Sequence, residues 1–137
     1  MIDNWNLFEG TEFIGVLSYN DETDKFNLEL KNNSEKGIKV YNFLHAGESQ
    51  ERFKGEMFRR VAPRNRVNIR EILRDCGLDH YDEWGLLKAC NFTTLTDRIW
   101  MTKTMDGNEY YEKSWLGAAE KYMKEHNIKP YLGENKQ

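Results

Sequence analysis

Two periods divide the chain. From Glu12 to Tyr19, Phe13, Gly15, Leu17 and Tyr19 alternate with Glu12, Ile14, Val16 and Ser18. Both sets contain apolar side chains, which predicts a strand covered on both faces. Asn20 to Asp24 is a turn cluster. Phe26, Leu28 and Leu30 then alternate with Asn27, Glu29 and Lys31, the mark of a half-buried strand. Asn32-Asn33-Ser34 and Gly37 punctuate again, and Ile38, Val40 and Asn42 continue the period of two. Residues 1–45 are therefore expected to form a three-stranded antiparallel meander, with room for a short strand around Trp5–Phe8.

From Ser49 the period becomes helical. Ser49 suits an N-cap, and Phe53, Met57, Phe58 and Val61 form an apolar stripe ended by Pro63. Asn68 followed by Glu71 has capping-box spacing. Ile69, Ile72, Leu73 and Cys76 share the core face of that helix, and Gly77 closes it. Asp79 is expected to cap a third helix with Tyr81, Trp84, Leu87 and Cys90 inward. After a turn at Thr94–Asp97, the run Ile99-Trp100-Met101-Thr102 reads as an added strand, and Asp106-Gly107-Asn108 as a turn. Trp115, Ala118, Ala119, Tyr122 and Met123 mark a last helix with that stripe inward, and residues 128–137 form a tail in which Tyr131 and Leu132 dock. The whole is an α+β single domain, residues 1–137. A β meander (1–45) packs against about four helices in a mainly helical part (49–126), with a strand near 99–102.

Charge changes this picture. Formal net charge is −3 over 137 residues, yet seven of the eight arginines lie between Arg52 and Arg74. With Lys54, against only Glu56 and Glu71, that stretch carries +6, while residues 1–51 carry −6 and residues 75–137 carry −3. Arginine in place of lysine favours planar, multi-donor contacts with carboxylates or phosphates. Arg70 and Arg74 lie on one helical stripe that Arg66 extends, and Arg59, Arg60, Arg64 and Arg66 gather at a helix–helix corner. Arg52 and Arg59 share a face of the preceding helix, where Glu56 can pair. The candidate binding residues are thus Arg59, Arg60, Arg64, Arg66, Arg70 and Arg74. They serve either as internal partners of the acidic flanks or as a surface for an acidic partner.

Other chemistry is sparse. Cys76 and Cys90 form no CxxC and read as reduced thiols of a cytoplasmic protein. His45, His80 and His126 have no metal-ligand spacing, so neither metal nor other cofactor is expected. The acidic groups Asp21-Glu22-Asp24 and Asp79-Asp82-Glu83 read as turn and cap chemistry. Trp84, Trp100 and Trp115 are expected in the core, and Trp5 and Phe8 are a hint of an interface. Neither a signal peptide nor a membrane span is expected.

The strings Phe58-Arg59-Arg60-Val61-Ala62-Pro63-Arg64-Asn65-Arg66-Val67-Asn68-Ile69, Leu73-Arg74-Asp75-Cys76-Gly77-Leu78, Tyr81-Asp82-Glu83-Trp84 and Thr96-Asp97-Arg98-Ile99-Trp100 resemble a segment of small bacterial and prophage proteins. A similar segment precedes the kinase-like body of HipA-like proteins of Firmicutes. The chain lacks a glycine-rich phosphate loop and a DFG-like triplet, so the resemblance implies an accessory module without kinase chemistry. The expectation is a non-enzymatic, protein-binding regulator or inhibitor encoded by a phage or mobile element. Its target would handle nucleic acid, as for an anti-CRISPR or other anti-defence protein. The alternative is direct nucleic-acid binding, in which the same arginines contact phosphates. A pI near 5.7, with neither zinc-finger spacing nor an RNP motif, weighs toward a protein.

Overall fold

The computed structural model describes residues 1–128. Four antiparallel strands, β1 (Ile2–Glu9), β2 (Glu12–Asn20), β3 (Lys25–Leu30) and β4 (Ile99–Thr102), form one sheet in the order β3-β2-β1-β4. Six helices accompany them among the described residues. They are α1 (Glu35–Phe43), α2 (Gln50–Phe58), α3 (Ile69–Asp75), α4 (Glu83–Ala89), α5 (Tyr110–Lys113) and α6 (Trp115–Glu125), with a 3-10 turn at Gly107–Glu109. The class is α+β and the domain is single, with more and shorter helices than the four expected.

The meander is β1-β2-β3, so two assignments shift. The strand around Trp5–Phe8 extends over Ile2–Glu9 and sits inside the sheet, paired to both β2 and β4. The strand expected over Ile38–Asn42 is helical instead. Ser34 caps α1 by accepting a hydrogen bond from the Gly37 backbone N–H at 3.2 Å. Gly37, Val40 and Leu44 then face inward with helical spacing, while Ile38, which suggested the period of two, is 46% exposed. Gly37 lies so close to the Asn32 carbonyl that a Cβ would collide with it.

Both faces of the sheet are covered, as the mixed pattern of β2 implies. A register shift opposite Leu7 and Phe8 lets Ile14 turn into the larger core beside Leu7 and Leu17, while Phe13 goes to the other face. That larger core adds Phe26 and Leu28 from β3, Phe53 and Met57 from α2, and Trp84 and Leu87 from α4. On the opposite face Phe8 and Trp100 stack with ring centroids 5.1 Å apart, and Tyr110 closes the cluster.

α6 presents the reverse of the expected face. Trp115 is 81% exposed, Ala118, Ala119 and Tyr122 are exposed too, and Gly117 is the buried residue. Two tertiary contacts turn the helix this way. Gly117 sits against the Tyr110 carbonyl with no room for a Cβ. Glu120 accepts from Arg98 at 3.0 and 3.2 Å and from the Tyr110 hydroxyl at 2.7 Å, and Arg98 also reaches Glu9 at 3.1 Å. Tyr131 and Leu132 of the expected tail lie outside the described residues.

Amide side chains close both sheet edges. Gln50 accepts from the Phe26 N–H at 2.9 Å and donates to the Phe26 carbonyl at 2.6 Å on β3. On β4, Asn91 accepts from the Met101 N–H through its backbone carbonyl at 2.9 Å and donates to the Met101 carbonyl through its side chain at 3.0 Å. Edge groups occupied in this way cannot template another strand at these residues.

Candidate binding surface

The sequence ending α2 does two jobs. Ser49 starts the helix by accepting from the Arg52 N–H, as expected, but regular helix ends at Phe58 instead of continuing to Pro63. Arg59 caps it, and Arg60 turns inward. The Arg60 guanidinium donates to both Asp97 carboxylate oxygens at 2.8 and 3.0 Å, and to the carbonyls of Phe92 and Ile99 at 2.8 and 2.9 Å. It also lies 4.2 Å from the centroid of the Phe92 ring. With its side chain only 4% exposed, Arg60 is an internal strut and no part of an accessible surface.

Two more arginines take local carboxylates. Arg52 pairs with Glu48 at 3.4 Å, and Arg59 with Glu56 at 3.1 Å. The Arg52 pair is exposed on both sides and worth little, whereas the Arg59 pair joins an exposed guanidinium to the half-buried Glu56 carboxylate. Arg64, Arg66, Arg70 and Arg74 have no carboxylate within ion-pair distance among the described residues. All four are exposed. Of the six arginines singled out by spacing, the structure therefore brings four to one accessible segment, leaves Arg59 half-committed and removes Arg60.

The segment that carries these four is an excursion. The Tyr81 hydroxyl donates to the Ala62 carbonyl at 2.7 Å, joining the two ends of a stretch of about twenty residues. Arg64 stacks on the same ring, its guanidinium carbon 4.6 Å from the Tyr81 centroid. Burial pushes the Tyr81 hydroxyl above its ordinary pKa, helped by the charge of Glu83, which keeps the donor proton in place. Two consecutive turns follow, Arg66 N–H to Pro63 carbonyl and Ile69 N–H to Arg66 carbonyl, both 3.1 Å. They put Val67 at a tip where it is fully exposed.

α3 leaves this tip without the expected capping box. The Asn68 side-chain oxygen accepts from Arg66 Nε at 2.9 Å instead of from the helix. The face of Ile69, Ile72, Leu73 and Cys76 does turn toward the body but is only half-buried, and no residue of α3 is fully buried. Gly77, at φ +76°, ends the helix as expected: the Leu78 N–H reaches back to the Leu73 carbonyl at 2.8 Å. Asp79 does not cap α4. It pairs with His80 at 2.6 Å, and the helix begins after Asp82.

A cleft of about 520 Å³ between α1 and the ends of β1 and β4 has Val40, Phe43 and Ile99 as its apolar wall. Its cations are paired: Lys36 with Glu9 and Glu12 at 3.3 Å, Lys39 with Glu35 at 3.3 Å, and Arg98 with Glu9 and Glu120. A second cleft of about 530 Å³ includes Asp3, Tyr19, Asp82 and Trp84. Burial alone would push Asp3 upward. Hydrogen bonds from Lys103, Trp84, Trp5 and Lys88 outweigh it and hold the carboxyl at about 2. Burial raises the Cys90 thiol, which is the condition of an unreactive cysteine.

Among the described residues no group of three or more His, Cys, Asp or Glu side chains could hold a metal ion, and no helix is long and apolar enough to cross a membrane. Val67 and the Tyr81–Ala62 pin were missed by sequence reasoning. The valine's isolation between Arg66 and Asn68 was the only available signal. No protein-family model matches the chain, and neither a curated protein nor a solved structure matches it.

Proposed function

We propose that this chain is a non-enzymatic binding protein, a regulator or inhibitor that docks on an acidic protein surface through Arg64, Arg66, Arg70 and Arg74. The observation that carries the reading is the division among the arginines. Arg52, Arg59 and Arg60 take carboxylates of this chain, while the other four present solvated guanidinium groups on one excursion. Guanidinium groups arrayed in this way suit bidentate pairing with carboxylates and speed encounter with an acidic partner. The net charge of −3 disfavours indiscriminate attraction to nucleic acid, though not a local contact. A phage- or mobile-element-encoded inhibitor of a nucleic-acid-handling protein in the cytoplasm, for example an anti-defence protein, is the concrete form we put forward. It is supported by the motif resemblance between Phe58 and Trp100.

The test is affinity capture from the native host lysate, with and without nuclease. A discrete protein retained after nuclease digestion is expected. Capture that disappears with nuclease, with an affinity falling steeply as salt rises, would assign the same arginines to phosphates instead.

A further inference from the structure

We infer that α6 is a self-association surface, on which two copies of this chain pair antiparallel about a twofold axis. The helix turns an unpartnered stripe to solvent. Trp115, Ala118, Ala119 and Tyr122 recur at the spacing of one helical face and all four are exposed, Trp115 by 81%. His126 extends the stripe, its ring stacked on Tyr122 with centroids 4.0 Å apart. Half-buried Leu116 and Met123 adjoin it on one flank. Contacts on the opposite face fix this orientation. Ser114 caps the helix, Gly117 meets the Tyr110 carbonyl, and Glu120 holds Arg98 and the Tyr110 hydroxyl. The stripe is therefore not available to the chain's own core. A contiguous apolar face that carries Trp and Tyr marks an interaction site, whereas apolar residues scattered singly do not.

Three features suit a second copy. Large rings stand at the two ends of the stripe and two alanines at its middle. Antiparallel pairing sets each Trp115 against Tyr122 and His126 of the other copy and leaves the alanines at the crossing, an isologous contact that closes on itself. The surroundings carry no net charge, since Lys113, Lys121 and Lys124 balance Glu112, Glu120 and Glu125. Like surfaces can thus meet, while an acidic partner of the kind the arginines suit would gain nothing here. Two aromatic rings with their apolar neighbours amount to roughly 500 Å² per copy, so the pair falls at the lower limit of specific interfaces, among the transient ones. Such a dimer forms at high protein concentration and dissociates on dilution.

Sedimentation equilibrium of the full chain from about 1 to about 500 µM tests this. The molar mass is expected to rise from 16.3 kDa toward twice that value. Trp115→Ser should weaken association at least about tenfold. Ala118→Glu and Ala119→Lys should each remain monomeric, and an equimolar mixture of the two should associate, because position 118 of one copy faces position 119 of the other. All three positions are exposed, so these variants fold alike. A mass of 16.3 kDa at every concentration overturns the inference. So does association that survives Trp115→Ser and Ala118→Glu, or that is lost instead in Arg70→Glu with Arg74→Glu, which would mean pairing of the arginine excursion with an acidic flank. A mixture that stays monomeric overturns the antiparallel arrangement.

Discussion

Arg60 and Asp97 form a two-pronged ion pair at 2.8 and 3.0 Å that links the end of α2 to the start of β4. The same guanidinium holds the carbonyl of Phe92, which with Asn91 adopts left-handed backbone at φ +65° and +54°. The pair thus fixes the loop that closes the β4 edge. Removing one partner of a buried pair leaves an uncompensated charge, which costs about 3 kcal/mol or more. Arg60→Ala and Asp97→Asn should each lower the urea midpoint accordingly, whereas Arg70→Ala should change stability by less than about 0.5 kcal/mol. Urea unfolding of the three variants checks the contrast.

Tyr81 should control the excursion without controlling the fold. Tyr81→Phe deletes only the hydroxyl bonded to Ala62 and keeps the ring under Arg64. One hydrogen bond is worth about 1 kcal/mol. Hydrogen exchange in residues 62–81 should accelerate about fivefold, while amides of β1 and β2 keep their wild-type rates. Equal acceleration in both regions would mean that the excursion is no separate unit.

The acid limb of stability should carry a contribution from Asp3. Its folded pKa of about 2 lies below the ordinary 3.8, so the carboxylate stabilises the fold above pH 4. That contribution fades as pH falls from about 4 to about 2, through the folded value. Asp3→Asn should be less stable than wild type at neutral pH and flatter in its stability across that window. Denaturant midpoints at a series of pH values measure it.

α6 offers a comparison of two faces. Gly117→Ala puts a methyl group against the Tyr110 carbonyl and should cost about 1–3 kcal/mol. Trp115→Ser removes a large apolar residue that is 81% exposed and should leave the melting temperature nearly unchanged. Thermal unfolding distinguishes the two.

β2, β3, β4, the Ser49 cap and the Gly77 stop were legible because each is set by local periodicity or by one residue's backbone preference. The orientation of α6 was not. Its largest apolar side chains define one face, but the close approach of Gly117 and the Arg98–Glu120 contact select the other. α1 was misread because Ile38 and Val40 fit a period of two as well as they fit a helix capped by Ser34. The arginine cluster was legible as charge alone. Arg60 and Arg70 look alike in sequence, and only the distance to Asp97, 37 residues downstream, separates a strut from a surface group.

One binding measurement tests that separation most directly. Capture from nuclease-treated host lysate would be quantified for wild type, for Arg64→Ser with Arg66→Ser, Arg70→Ser and Arg74→Ser, and for Arg52→Ser with Arg59→Ser. Loss of the captured protein in the fourfold variant, with full retention in the twofold variant, is the predicted result. Equal capture by all three chains, or loss confined to the Arg52 and Arg59 variant, would contradict it.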